Sequence, residues 1–155
     1  MKPVERENIH VTLKFLGNVD RAKLGQVKTV LDKVEFKIFP LEVRGAGAFP
    51  NVGRMNVIWV GLGEGWSQVQ LIYEQTEKLL SEIGFQRESR AFSPHVTIAR
   101  VRSPKRRDEI AQFLRELTEK SFGTFNVGKV RLKQSVLSSS GPKYSTLHEA
   151  SGQNV

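Results

Sequence analysis

The chain has no cysteine in its 155 residues. That excludes a disulfide framework and any zinc or haem-thiolate site built on Cys ligands. No apolar run approaches the ~18–20 residues of a membrane span. The opening Met1-Lys2-Pro3-Val4-Glu5-Arg6-Glu7 lacks the apolar centre of a secretory signal, so a cytoplasmic location is expected. There is no Gly-x-Ser-x-Gly elbow, no Walker A loop and no dinucleotide fingerprint, which removes the commonest serine-hydrolase and nucleotide-binding readings. Histidine is scarce, with three in the whole chain. Acidic residues are outnumbered, 16 against 24 Lys and Arg, for a net charge of +8. Such an excess favours polyanions through steering and counterion release, with ordinary surface lysine as the bland competitor.

What is present suits one compact domain, 1–155, built of two lobes. Hydrophobic residues at 39% and charged residues at 26% argue against wholesale disorder. Two of the three histidines fall in a repeated tetrapeptide. One copy is His10-Val11-Thr12-Leu13 and the other is His95-Val96-Thr97-Ile98. Successive side chains on a strand point to opposite faces, so each His and Thr share a face, with Cα atoms roughly 7 Å apart. Each copy therefore presents an imidazole beside a hydroxyl.

The alternation of Ile9, Val11, Leu13 and Phe15 predicts a strand over 9–16 with a buried apolar face. Asp20 reads as the N-cap of a helix carrying Leu24, Val27, Leu31 and Val34. A strand over 36–43 follows, with Pro40 suggesting an edge or bulge. Gly45-Ala46-Gly47-Ala48-Phe49-Pro50-Asn51-Val52-Gly53 reads as a turn-rich loop, and the flanking segments 36–49 and 55–62 as an antiparallel pair. Phe49 on that loop is open to two roles, stacking on a base or capping the core, and the cap is the commoner. Val69, Ile72, Thr76, Leu79, Leu80 and Ile83 mark a second helix, stopped by Gly84. The second motif strand runs over 95–101. If it stays regular, Arg100 lies opposite His95 and braces the rim; a bulge would bring it towards the histidine.

Ser103-Pro104 reads as the opening of a third helix, with Ile110, Phe113, Leu114 and Leu117 on its apolar face. Lys105, Arg106, Arg107 and Arg115 make its outer side basic, which is usually only a solvated face. One long strand is expected within 122–137, a turn at 138–142, a returning strand over 144–148 and a frayed end at 149–155. The order β α β β α β α β β is an α+β pattern. Each half opens on a His-x-Thr strand, which suggests duplicated lobes about a pseudo-twofold axis.

A lone strand histidine is more often structural than catalytic. Two copies in equivalent settings shift that balance. Zinc competes, but two histidines leave a site short of ligands, and no third ligand has a suggestive spacing.

At these residues the chain resembles a known family. Glu7-Asn8-Ile9-His10-Val11-Thr12-Leu13-Lys14-Phe15-Leu16-Gly17 and Ser93-Pro94-His95-Val96-Thr97-Ile98-Ala99-Arg100 are similar to the paired signatures of the 2H phosphoesterase superfamily. Within it the chain resembles the RNA 2′,3′-cyclic phosphodiesterases, historically called 2′-5′ RNA ligases. The similarity runs from about Val4 to about Leu147 and includes Gly45–Pro50. The resemblance implies a bilobal fold, two antiparallel sheets flanking a central cleft, with helices outside. It implies that His10 is the proton donor and His95 the proton acceptor, that Thr12 and Thr97 bind phosphate, and that Phe49 and Arg100 are candidate substrate contacts. No metal or other cofactor is implied. The implied partner is RNA with 2′,3′-cyclic phosphate ends, tRNA halves among the candidates, acted on by a monomer. The family has an opening strand and helix before the first motif, whereas only Met1–Asn8 precede it here. The expectation is an unfilled sheet position with exposed backbone. Two alternatives remain open: a phosphodiesterase of small cyclic nucleotides and a non-catalytic RNA-binding module.

Overall fold

The computed structural model describes residues 1–103 and 105–154. Its strands are β1 (Lys2–Pro3), β2 (Phe39–Phe49), β3 (Val57–Leu62), β4 (Val96–Arg100), β5 (Ser121–Val127), β6 (Lys129–Ser138) and β7 (Gly141–Ser151). Its helices are α1 (Arg21–Leu31), α2 (Trp66–Glu82) and α3 (Arg107–Glu116), with short 3₁₀ turns at Arg6–Asn8 and Val52–Arg54. One sheet has the order β1-β4-β3-β2-β5, and β6 and β7 form a separate two-stranded sheet. The architecture is α+β, as the pattern predicts. The chain divides into two compact units, and each draws on early, middle and late segments.

The first unit comprises Met1–Thr12, Pro40–Ser67 and Phe92–Phe125. Its core is Ala48, Met55, Ile58, Ala99, Val101, Ala111 and Leu114, contributed by β2, β3, β4 and α3. The expected strand over 9–16 is replaced by a single bridge between Val11 and Val96. Ile9 and Phe15, assigned above to the buried face, are 48% and 87% exposed. The reason is pairing: β4 begins only at Val96, and after Thr12 the chain leaves the unit, so no neighbour extends the ladder. Further back, β1 pairs antiparallel with β4, Lys2 across from Arg100 and Pro3 across from Ala99.

The predicted loop at 45–53 is largely strand. β2 continues through the glycines to Phe49, whose bond to Pro50 is cis. A register shift between Val43 and Ala46 marks a bulge, with Gly45 at φ +75°. A β-carbon there would lie 2.6 Å from the Thr118 carbonyl oxygen. Glu42 on the same strand accepts hydrogen bonds from Arg44 and the Glu64 amide. Arg44, then Ser121, then the Glu64 amide hold its carboxyl down to about 2. In α3 it is Ala111 and Leu114 that are buried, and Phe113, expected on the apolar face, is 58% exposed. The helix packs with a face centred on Ala111, whose small side chain admits close approach to the core, and Phe113 turns away from it. The expected opening at Ser103-Pro104 falls partly on Pro104, outside the described residues.

The second unit comprises Leu13–Phe39, Gln68–Ala91 and Asn126–Val155. Val27, Val30, Leu31, Ile72, Leu80 and Val130 are among its buried apolar residues. Asp20 caps α1 by accepting from the Lys23 amide at 2.8 Å. Asp20→Ala should lower stability by about 1 kcal/mol in a denaturant titration. α2 ends in a Schellman motif: the Phe85 amide bonds the Leu80 carbonyl, the Gly84 amide bonds that of Ser81, and Gly84 takes φ +95°. The single strand expected within 122–137 breaks at Gly128 into β5 and β6. The expected frayed end is instead the close of β7. Glu149 accepts from Lys129 and Arg131 across the hairpin, and Ala150 is buried. Those two cations hold the Glu149 carboxyl down to about 2. Cross-strand charge pairing of this kind makes a polar sequence into an ordered strand. Among the described residues no helix is long and apolar enough to cross a membrane.

Candidate active site

The candidate site grows from the Val11–Val96 bridge, which lies wholly within the first unit. The bridge is antiparallel. Carried one residue either way, its register sets His10 across from Thr97 and Thr12 across from His95. Val96 is buried on the core face. Its neighbours therefore project from the opposite face, where directly paired side chains have Cβ atoms about 4.5–5.5 Å apart. The arrangement is a square with the two histidines on one diagonal and the two threonines on the other.

Both imidazoles are anchored alike. His10 Nδ1 lies 2.6 Å from the Asn8 carbonyl oxygen, and His95 Nδ1 lies 2.8 Å from that of Ser93. A carbonyl can only accept, so each Nδ1 carries the proton. In the neutral ring the lone pair then sits on Nε2. The two motifs thus use the same backbone carbonyl, two residues before the histidine, to set one tautomer. The third histidine belongs elsewhere: His148 Nε2 bonds Asp32 Oδ1 at 2.7 Å in the second unit.

The remainder of the face follows from strand register. Trp59 pairs with Thr97, whereas Ile58 pairs with Ala99. Ile98 is thus an extra residue, a bulge that resets the alternation of β4. Beyond it Ala99 falls on the core face, and Arg100 pairs with Val57. Val57 shares a face with Trp59, so Arg100 returns to the side of Thr97. This corrects the regular-strand expectation that Arg100 lies opposite His95. Lys2, across from Arg100, is on the same side.

Phe49 pairs with Val57 on the same face. Its ring meets the His95 ring edge-on, with centroids 4.8 Å apart and planes at 74°. Sequence reasoning missed Trp59, which it treated as one more apolar residue in a core strand. The available signal was the period of β3. Ile58 and Val60 fill the core face, and Trp59 between them must project the other way. Phe49 and Trp59 stand 5.4 Å apart, and Trp59 and His95 stand 6.3 Å apart.

Two imidazoles with matched tautomers, two hydroxyls and a guanidinium on one sheet face form a set suited to proton transfer around an anion. The model of the family described as LigT like Phosphoesterase matches residues 1–59 and 63–144. A protein of Aeropyrum pernix named RNA 2′,3′-cyclic phosphodiesterase is 40% identical over 149 residues, covering 96% of this chain and 85% of its own. One of the same name from Archaeoglobus fulgidus is 40% identical over 147 residues, covering 95% and 81%. A crystal structure from Thermus thermophilus superposes with a TM-score of 0.78 at 26% identity, over 97% of this chain and 81% of that one. Sequence match along both motifs and shared backbone lead to one assignment: the chain belongs to the LigT-like phosphoesterase family.

Proposed function

We propose that this chain hydrolyses RNA 2′,3′-cyclic phosphate ends to 2′-phosphate ends without a metal, using His10 and His95 as an acid–base pair. The observation that carries the reading is the bridge between the two motifs, which joins two identically anchored imidazoles to two threonines. The names of the relatives from Aeropyrum and Archaeoglobus support the substrate class.

In this scheme Nε2 of neutral His95 takes a proton from water as the water oxygen attacks phosphorus. The bond from phosphorus to the ribose 3′ oxygen breaks, and the His10 imidazolium protonates that oxygen. Hydroxyls of Thr12 and Thr97 donate to the non-bridging oxygens, where charge develops. Arg100, on the face of Thr97, adds a fixed positive charge, and Phe49 bounds the site beside His95. A 5′-hydroxyl in place of water would give a 2′-5′ linkage by the same proton transfers. RNA fragments such as tRNA halves are the proposed substrates and a monomer the proposed active form.

The test is purified protein in EDTA acting on an RNA oligomer with a 2′,3′-cyclic end, followed by separation of phosphate isomers. A 2′-phosphate product is expected. A 3′-phosphate product, or loss of turnover in EDTA, would overturn the scheme. Cyclic mononucleotides run in parallel separate the RNA reading from one in which small cyclic nucleotides are preferred. Arg100→Gln should reduce kcat/KM by about 10-fold to 100-fold, the range of a charged hydrogen bond worth about 1.5–3 kcal/mol. An unchanged kcat/KM would remove Arg100 from the site.

A further inference from the structure

We propose that Trp59 is a positioning residue for His95, and that the missing side chain at Gly47 is what lets it act. The inference rests on the two-histidine reading above and adds the scaffold that aims one of the histidines. Gly47 of β2 pairs directly with Trp59 of β3. A β-carbon at Gly47 would come within 2.4 Å of Cζ2, 2.7 Å of Cη2 and 2.9 Å of Cε2 of the indole. The indole therefore lies across the β2 backbone at this point, in space that only glycine leaves open.

From that seat the indole closes a three-ring contact. It packs on Phe49 with the planes inclined at 34°, and on His95 with the planes at 57°. Phe49 meets His95 edge-on. Aromatic rings in such tilted and edge-on arrangements have preferred geometries and hold one another in register. The His95 imidazole is thus tied at Nδ1 by the Ser93 carbonyl and bounded along its ring by two aromatic side chains. The carbonyl fixes which nitrogen carries the proton. The aromatic pair limits rotation about the axis that the hydrogen bond leaves soft.

The indole nitrogen gives a second reason. Trp59 Nε1 is buried and has no hydrogen-bond partner among the described residues. A buried N–H without a partner is disfavoured, and phenylalanine would fill apolar space without it. Indole contributes reach: its six-membered ring extends over Gly47 and fills the space that fixes Phe49 and, through it, His95. Trp59 touches no reacting atom in the proposed scheme, so its effect is on alignment.

The experiment compares Trp59→Phe, Gly47→Ala and the double variant, with Trp66→Phe on the half-exposed second tryptophan as control. Kinetics on the cyclic oligomer give kcat and KM. Imidazole nitrogen shifts, assigned by the signal lost in His95→Gln, report the tautomer and the Nδ1 hydrogen bond without turnover. Trp59→Phe and Gly47→Ala are each expected to lower kcat about tenfold, as modest misalignment does, with KM within about twofold. Both should also shift the His95 nitrogen signals towards a mixture of tautomers, as the ring turns off the Ser93 carbonyl. The double variant, with a smaller ring over the new methyl, should recover part of the kcat lost in Gly47→Ala. Trp66→Phe should change neither reading. Trp59→Phe does not require new space, so it decides the matter if Gly47→Ala does not fold. Wild-type kcat and unmoved His95 shifts in Trp59→Phe would overturn the inference, as would a loss confined to KM. If the wild-type protein does not open the cyclic end, the functional reading fails, and the His95 shifts alone decide whether Trp59 positions the ring.

Discussion

His10→Ala and His95→Ala should each lower turnover of a 2′,3′-cyclic RNA end by about 10²–10⁴-fold, the usual contribution of one general acid or base. The two losses should not add. Once either partner is gone, the other transfers a proton into an incomplete transition state, and the double variant should lie close to the worse single one. Thr12→Val should cost less than either, because it removes one neutral donor to a phosphate oxygen while the other donors remain. The pH–rate profile should be bell-shaped, since one imidazole must begin neutral and the other protonated. Its two limbs belong to the pair as a unit and are not single-residue constants. Each single histidine variant should lose one limb of the bell. That outcome is independent of the assignment of acid and base, and it also tests that assignment. Loss of the acidic limb identifies the base, because the base works only after it has shed its proton. With His95 as base, His95→Ala should flatten the acidic side and His10→Ala the alkaline side. A variant with full activity would end the two-histidine scheme, and exchanged limbs would exchange the roles.

What the sequence makes legible here is local. A His and a Thr two residues apart share a face in any extended segment, and the repeat of that unit stands out in a chain with three histidines. Asp20 and Gly84 announce helix ends because capping depends on residues a few positions away. Pairing depends on distant partners, and there the reading fails. Ile9 and Phe15 look like a buried face, yet only Val11 finds a strand neighbour. Ile98 fits a regular alternation by residue type, and only its register with β3 exposes it as the bulge that turns Arg100 round. Gly45 and Gly47 look like loop residues, but they belong to a strand that must bulge at one position and admit an indole at the other. Glu149 looks like a disordered tail until Lys129 and Arg131 stand across from it. The same limit hides Glu77, which sits beside the apolar stripe of α2 and has no sequence neighbour to announce its burial.

Glu77→Ala should destabilise the protein by about 3–5 kcal/mol, the effect of removing one member of a buried ion pair. Glu77 is one of two buried polar side chains among the described residues of the chain, with Thr76 the other. Its Oε1 lies 2.5 Å from Lys14 Nζ, and the two side chains are 8% and 11% exposed. Its Oε2 accepts the Glu88 amide at 2.9 Å, and Lys14 Nζ also donates to the Gln86 carbonyl at 2.8 Å. One carboxylate therefore holds the lysine that follows the first motif and, through its second oxygen, the chain after α2. Truncation leaves the lysine charge buried with one carbonyl partner and leaves the Glu88 amide without its acceptor. Both penalties follow from desolvation without compensation, which outweighs the value of the pair itself. For a chain of this size the loss should appear as a fall in Tm of roughly 10–15 °C. Lys14→Met should be costly for the converse reason, since it strands the carboxylate. The double variant Lys14→Met with Glu77→Leu removes both charges and fills the volume with apolar atoms, and such replacements are often close to neutral. It should therefore be more stable than either single variant, a coupling that thermal or denaturant unfolding of the four proteins measures directly. A loss below about 1 kcal/mol in Glu77→Ala, the range of exposed pairs, would mean that water screens the site and the pair contributes little.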